Sequence, residues 1–176
     1  FATWDGSPPR LLFPNATFYT GKRQWEHACH PHPRDRASYV PETLELLKAS
    51  GRLRLIEGET HPDLDFPVSF LFFDGHSPGM AVSRLALPHG VLYFVADLIP
   101  GAAWVHIPIV MGYDRFAELT IDEKTAFLGR VMQEDAKLYF THDPLIACAG
   151  VDMDEKGRYT AFASDIERLV LSEVAQ

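Results

Sequence analysis

The chain is short of basic charge and almost devoid of sulfur chemistry. Its 176 residues include 16 Lys and Arg against 24 Asp and Glu, a formal net charge of -8, and the cations form neither a stripe nor a patch interleaved with aromatics. A surface of that sign repels phosphate backbones, which argues against nucleic acid as a partner. Cys29 and Cys148 are the two cysteines, far apart and in no CxxC pair. A disulfide framework and a cysteine zinc cluster are thereby disfavoured, and reduced thiols in a cytoplasmic protein fit best. No apolar run approaches the roughly 20 residues that cross a bilayer, and the start lacks the charged-then-apolar layout of a signal, so no membrane partner is expected. Repeats, low-complexity tracts and obvious linkers are missing too, so residues 1–176 read as one domain. Asn15-Ala16-Thr17 matches a glycosylation sequon, a tripeptide common by chance. The chain opens on Phe1 instead of Met, which suggests a processed product or a fragment.

What is present is enough for a substantial core, with 47% hydrophobic and 12% aromatic residues. A Gly- and Pro-rich opening reads as loop through Pro14. Phe18-Tyr19-Thr20 predicts a short strand and Lys22 to Cys29 a short helix, broken by His30-Pro31-His32-Pro33 because proline lacks the amide donor. Pro41 to Gly51 has proline in the first turn, Leu44 and Leu47 on one face, and a glycine where a left-handed cap belongs. Strands are predicted at 53–57, 68–73, 81–87 and 91–96, with Pro88-His89-Gly90 as a hairpin turn. Ile121 to Asp135 is the strongest helix: Ile121, Phe127, Leu128 and Val131 make an apolar stripe and Asp122 and Glu123 suit its N-terminus. A strand at 137–141, a hairpin of 146–151 with 158–163 turning at Asp154-Glu155-Lys156-Gly157, and a helix capped by Ser164 complete the reading.

Three segments share one design, an apolar run of strand type ending on a metal-capable side chain. Residues 68–73 lead to His76 in Asp74-Gly75-His76-Ser77-Pro78-Gly79, residues 91–96 to Asp97, and residues 137–141 to His142 in His142-Asp143-Pro144. Strand ends are where rigid elements aim side chains while loops leave room for a ligand. Singly, each has a plain alternative. His76 could be a turn histidine bonded to backbone. Asp97, costly to bury unless paired, could cap a helix, pair with a cation or bind a metal. His142 could simply open a turn.

In combination these residues resemble the metallo-β-lactamase-fold hydrolases, in particular the lactonase-like branch. His76, Asp97 and His142 match, in order, type and approximate spacing, that family's Gly-His-Thr/Ser-Pro-Gly turn, its bridging Asp and its late His. Phe13-Pro14-Asn15-Ala16, the Trp25-Glu26 helix, Arg36-Ala37-Ser38-Tyr39 and Met111-Gly112-Tyr113-Asp114 extend the similarity over roughly residues 10 to 160. The resemblance implies an α/β chain forming the C-terminal part of a four-layer αββα sandwich. It implies a metal-dependent hydrolase of a lactone or other ester carbonyl, acting through a metal-bound hydroxide on a small-molecule substrate. Metal roles fall to His76, Asp97 and His142, a catalytic role to Asp97, and substrate contacts to Trp104, His106 and Tyr113. The cofactor would be two zinc ions in a complete site, with iron or manganese as alternatives.

Two departures stand out. Met80 replaces the second His that usually follows Pro-Gly, and the upstream His-x-His-x-Asp-His motif has no counterpart. His30-x-His32 copies only its start, lacks the Asp-His pair, and has prolines where a ligand loop opening a helix needs amide donors; a polar, solvated turn is the better reading. Three ligands are too few for tight binding of two ions. The remaining donors would come from a missing N-terminal segment or another chain, with a homo-oligomer expected, and the isolated chain can be inactive. The alternative is a non-catalytic or metal-deficient protein that keeps the fold for binding or packing.

Overall fold

The computed structural model describes residues 2–3 and 8–170. Backbone packing divides the chain into two compact units, Phe1–Gly58 and Glu59–Gln176. In the first, β1 (Ala2–Thr3) and β2 (Arg10–Leu11) form a small antiparallel ladder inside the stretch expected to be loop. β3 (Phe18–Gly21) runs directly into α1 (Lys22–Cys29), which ends at His30 before the prolines, as their missing amide donors require. After a 3-10 turn at Arg36–Ser38, α2 (Pro41–Ala49) starts on its proline. It is followed by Gly51 at φ +66, the left-handed conformation that glycine adopts without a Cβ penalty. β4 (Leu53–Ile56) then pairs parallel with β3. A cavity of about 870 Å³ in this unit is walled by Trp25, Tyr39, Leu44 and Leu53 with Arg36 and Lys48 among them, and none of the three candidate ligands lines it.

The second unit is a six-stranded mixed sheet with one long helix. In chain order it comprises β5 (Val68–Phe73), β6 (Met80–Leu87), β7 (Gly90–Phe94), α3 (Ala117–Gln133), β8 (Lys137–Tyr139), β9 (Cys148–Met153), β10 (Tyr159–Ala163) and α4 (Glu167–Val170). The spatial order is β10-β9-β8-β7-β6-β5; β7 and β8 are parallel and the other neighbours antiparallel. A parallel pair needs a crossover, and α3 supplies it. One sheet face packs Val82, Tyr93 and Leu138 with Phe127, Leu128 and Val131 of α3 in a single core. The Phe127 ring meets Tyr93 edge-on at 5.0 Å and Phe73 at 5.8 Å. Each such buried side chain contributes about 1.5–3 kcal/mol. The alternate residues face the other way: Leu92 and Cys148 cluster with Leu169 of α4, while Phe94 stacks on Tyr139 and stays 39% exposed. Among the described residues no helix is long and apolar enough to cross a membrane.

Several boundaries differ from the sequence reading. The β6–β7 turn is tighter than Pro88-His89-Gly90, because Gly90 already pairs with Leu87. Helix α3 begins at Ala117, four residues before the expected start at Ile121. Asp122 and Glu123 therefore lie beyond its first turn, and the acidic residue nearest its start is Glu118. Ser164 does not cap α4; its amide donates to Cys148 O, and the Asp165 carboxylate accepts from the Glu167 amide.

The early start of α3 follows from contact with the His76 turn. The Phe116 amide donates to Gly75 O at 2.8 Å, and a Cβ on Gly75 would lie 2.4 Å from Thr120 N. Backbone this close tolerates no side chain. Gly75→Ala is accordingly expected to lower unfolding free energy by about 3 kcal/mol, measured by urea denaturation. A loss under about 0.5 kcal/mol would mean that the helix does not seat against this turn.

Candidate functional site

The three strand-end residues converge. His76 follows β5 in a turn held from two sides: the Asp74 carboxylate accepts from the Gly79 amide at 2.8 Å, and Glu123 of α3 accepts from the Asp74 and Gly75 amides at 2.8 and 2.9 Å. Asp97 follows β7 across Ala96, whose φ of +46 lies in the left-handed region that alanine rarely adopts. Backbone strain of that kind, of order 1–3 kcal/mol, persists only where the surroundings over-determine it. His142 follows β8, and its amide donates to Pro100 O at 2.9 Å, tying its turn to the segment after Asp97.

Asp97 sits between the two imidazoles. Its Oδ2 lies 3.2 Å from His76 Nε2, and its Oδ1 lies 3.2 Å from His142 Nε2. The Oδ1 contact is an ion-pair approach without hydrogen-bond geometry, so that buried oxygen accepts no hydrogen bond from the described residues. A buried carboxylate oxygen without a donor is costly, and a cation offsets the cost. The spacing suits one. Two donors each about 2.1 Å from a tetrahedral ion stand about 3.4 Å apart. Each histidine thus pairs with a different oxygen of one carboxylate, the arrangement that two cation half-sites sharing a bridge would need. Among the described residues no group of three or more His, Cys, Asp or Glu could hold a metal ion.

The second nitrogen of His76 is also engaged. Nδ1 is 2.7 Å from Asp114 Oδ1, and the Asp114 side chain, 2% exposed, accepts from the Met111 amide through Oδ2 at 3.1 Å. Such a carboxylate fixes the imidazole tautomer with Nε2 facing Asp97. Burial disfavours the His76 cation, but hydrogen bonds and charges from Asp114 and Asp97 outweigh it and hold the ring up to about 9. The same His76 bond holds the Asp97 carboxyl below the usual carboxylate range against the opposing effect of burial.

A raised histidine pKa stabilises the fold only while the ring is protonated. In metal-stripped protein this stabilisation is fully present below the unfolded value of 6.5 and is lost as pH rises through about 9. The expected loss between those limits is up to about 3 kcal/mol. Urea denaturation of His76→Gln, compared with the parent across this range, should show a flatter profile. An identical slope in both proteins would remove the His76 ion pairs as the cause.

The expected substrate residues lie on the segment after Asp97. Trp104 belongs to a 3-10 turn, Ala102–Val105, and its indole N–H is buried without an acceptor among the described residues. His106 follows, half-buried. Tyr113 is 64% exposed and so no part of the core, and its ring stands edge-on to His76 at 6.0 Å. His30 and His32 are exposed in the first unit, as a solvated turn requires, while His27 differs in pairing with Asp35 at 2.8 Å in a largely buried contact.

Four supporting residues were not singled out from sequence for these roles. Asp114 appeared only within a family-like segment, and Asp143 only as the neighbour of His142 in His142-Asp143-Pro144. Asp143 accepts from the Leu145 and Ile146 amides and, through Oδ2, from Ala102 at 2.9 Å. Glu123 looked like a helix-terminus charge. Lys124 carried the one readable signal, a lysine four residues before Leu128 on a helix face that is otherwise buried. It is 0% exposed, and burial pushes its ammonium down to about 8, with the charge of Asp114 opposing.

No protein-family model and no curated protein matches the sequence significantly. Solved structures do match. A probable metal-dependent hydrolase from Staphylococcus aureus superposes with a TM-score of 0.73 at 19% identity, over 89% of this chain and 56% of that one. AidC, a dizinc quorum-quenching lactonase in complex with a product, matches at 0.67 and 20% identity over 89% and 57%. The hydrolase AbOPH of the beta-lactamase superfamily matches at 0.71 and 15% identity over 88% and 57%. The chain therefore spans a little over half the length of these structures, and it has the mixed α/β fold of a C-terminal part of the metallo-β-lactamase-type hydrolases that its strand-end residues resemble.

Proposed function

We propose that this chain is part of a metal-dependent hydrolase that opens a lactone or other ester. The observation that carries the reading is the Asp97 carboxylate, with each oxygen facing a different imidazole at 3.2 Å and one oxygen buried without a hydrogen bond. His76 and Asp97 Oδ2 would hold one cation, and His142 and Asp97 Oδ1 the second. Two zinc ions, or iron or manganese, would when bound supply electrophilic polarisation of the carbonyl and acidify a water. The chain's own groups do the rest. Asp97 accepts and orients a proton between the two half-sites. Asp114 holds the His76 tautomer, so that Nε2 stays available as a donor. The Tyr113 hydroxyl, exposed beside His76, donates to the substrate carbonyl or the developing oxyanion. Trp104 and His106 shape the pocket for a small acyl compound.

The reading also places donors outside this chain. One histidine and half a carboxylate do not retain an ion against water, so the remaining ligands belong to a preceding segment or to another chain, and a homo-oligomer is the natural assembly. Exposed Phe72 and Phe94 on the sheet face away from α3 suit burial against further polypeptide. Reduced Cys29 and Cys148 accord with a cytoplasmic setting.

The test uses the natural full-length protein. Elemental analysis should find about two ions per chain, and a panel of lactones and aryl esters should be hydrolysed with the activity lost on chelation and restored by zinc. A full-length protein that binds no metal and opens no ester would favour the non-catalytic binding protein instead.

A further inference from the structure

Between the half-sites runs a loop, residues 101–116, attached at both ends to the candidate ligands' own turns. At one end the Ala102 amide donates to Asp143, next to His142; at the other, the Arg115 amide donates to His76 O at 3.2 Å and the Phe116 amide to Gly75 O. The middle of the loop is gathered on one side chain. Lys124 of α3 reaches up from the helix, and its ammonium donates to the carbonyls of Trp104 at 3.0 Å, His106 at 3.2 Å and Ile109 at 2.6 Å. An ammonium has three hydrogens, so its donor capacity is filled by the loop.

We propose that Lys124 is a positioning residue for substrate: it serves as a built-in cation that holds residues 104–109, and with them Trp104 and His106, in the pocket conformation. The inference rests on the reading of the site as a hydrolase only for its kinetic consequence; the clamp itself stands on the geometry.

The chemistry of the contact explains why a lysine is buried there. Three carbonyls converge on one point outside any strand or α-helix, and an ammonium is the compact side-chain donor that can serve all three. Asp114 helps balance the buried charge. An arginine would present a planar fork that cannot meet three convergent oxygens. A methionine would fill the same space and remove the ammonium from all three carbonyls, of which that of His106 still accepts from the Ile109 amide at 3.1 Å. Lys124 touches backbone alone in these bonds, so it acts on substrate through the two side chains it positions.

The experiment uses the natural full-length protein and its Lys124→Met and Lys124→Ala variants. Hydrogen exchange should lose protection at the Trp104 and Ile109 amides, which are bonded within the loop, while amides of β6, β7 and α3 keep theirs. Propylammonium added to Lys124→Ala should restore that protection, because it replaces the deleted atoms and charge. Metal content should stay at the parent value. For the ester or lactone hydrolysed best, KM should rise about tenfold with kcat within about threefold, and the amine should reverse the rise.

Loss of protection spread over the whole unit with no amine rescue would mean a general stability role and would overturn the proposal. Unchanged protection at Trp104 and Ile109 would overturn it as well. If neither variant folds, the parent protein still decides: its Lys124 ammonium should give a slowly exchanging proton–nitrogen resonance, and a freely exchanging one removes the clamp. Should the parent hydrolyse nothing, the hydrolase reading fails while the exchange and rescue measurements still judge the clamp.

Discussion

Asp97→Ala in the full-length protein is expected to lower lactone or ester hydrolysis by roughly a thousandfold or more and to release most of the bound metal. The size of the effect follows from the geometry. Both carboxylate oxygens face an imidazole, Oδ2 toward His76 and Oδ1 toward His142, so on the proposed reading one substitution would empty both half-sites at once. The isosteric Asp97→Asn separates charge from shape. It keeps a carbonyl oxygen but presents an amide to one imidazole, so metal binding should still fall by about tenfold or more. Stability should suffer less, by about 1–3 kcal/mol at neutral pH, since the loss is that of charged hydrogen bonds at a partly solvated group. Elemental analysis, steady-state rates and urea titration measure the three effects. An Asp97→Ala enzyme with ordinary turnover would end the assignment of this residue as the bridge.

The second large effect is expected at Asp114, which would ligate neither cation but bonds the far nitrogen of His76. Its side chain is almost wholly buried, bonded to His76 Nδ1 at 2.7 Å and to the Met111 amide. Asp114→Leu removes the partner of a buried, doubly bonded imidazole, leaves the Met111 amide without its acceptor, and strips Lys124 of a nearby opposite charge. Breaking a buried charged network in this way costs about 3–5 kcal/mol. Asp114→Asn keeps size and one acceptor, so it should fold, with metal affinity lowered about 10- to 100-fold because the histidine loses its basicity and its fixed tautomer. The same substitution should bring the His76 titration of metal-stripped protein down from about 9, followed by nuclear magnetic resonance of the ring protons. A His76 titration unmoved by Asp114→Asn would show that the second carboxylate does not set the ring's basicity.

These expectations differ in how far they could be read from the sequence. The elements that rest on local rules were legible. Pro41 and Gly51 bracket α2, the prolines after His30 end α1, and Asp154 to Gly157 turns the last hairpin, because proline and glycine constrain the backbone wherever they stand. The start of α3 was not legible. Asp122 and Glu123 match a helix N-terminus in composition, yet residues 117–120 extend the helix because Gly75 O and the close approach of Gly75 to Thr120 fix its first turn from outside. Likewise Glu123 serves the amides of Asp74 and Gly75, 49 and 48 residues away, and no local pattern encodes such a partner.

The amino-acid sequence by itself determined the identities and the order of His76, Asp97 and His142, each placed after an apolar strand, and through them the likeness to a family of metal-dependent hydrolases. Periodicity and turn chemistry are short-range, so they reach that far. Only the tertiary structure decided that Asp97 divides its oxygens between the two histidines, that Asp114 grips the far side of His76, and that Lys124 gathers the loop between them. Those relations join strands β5, β7 and β8 with helix α3 across the fold, and hydrogen bonding or charge pairing at such sequence separation exists only once the sheet and its crossover helix have packed.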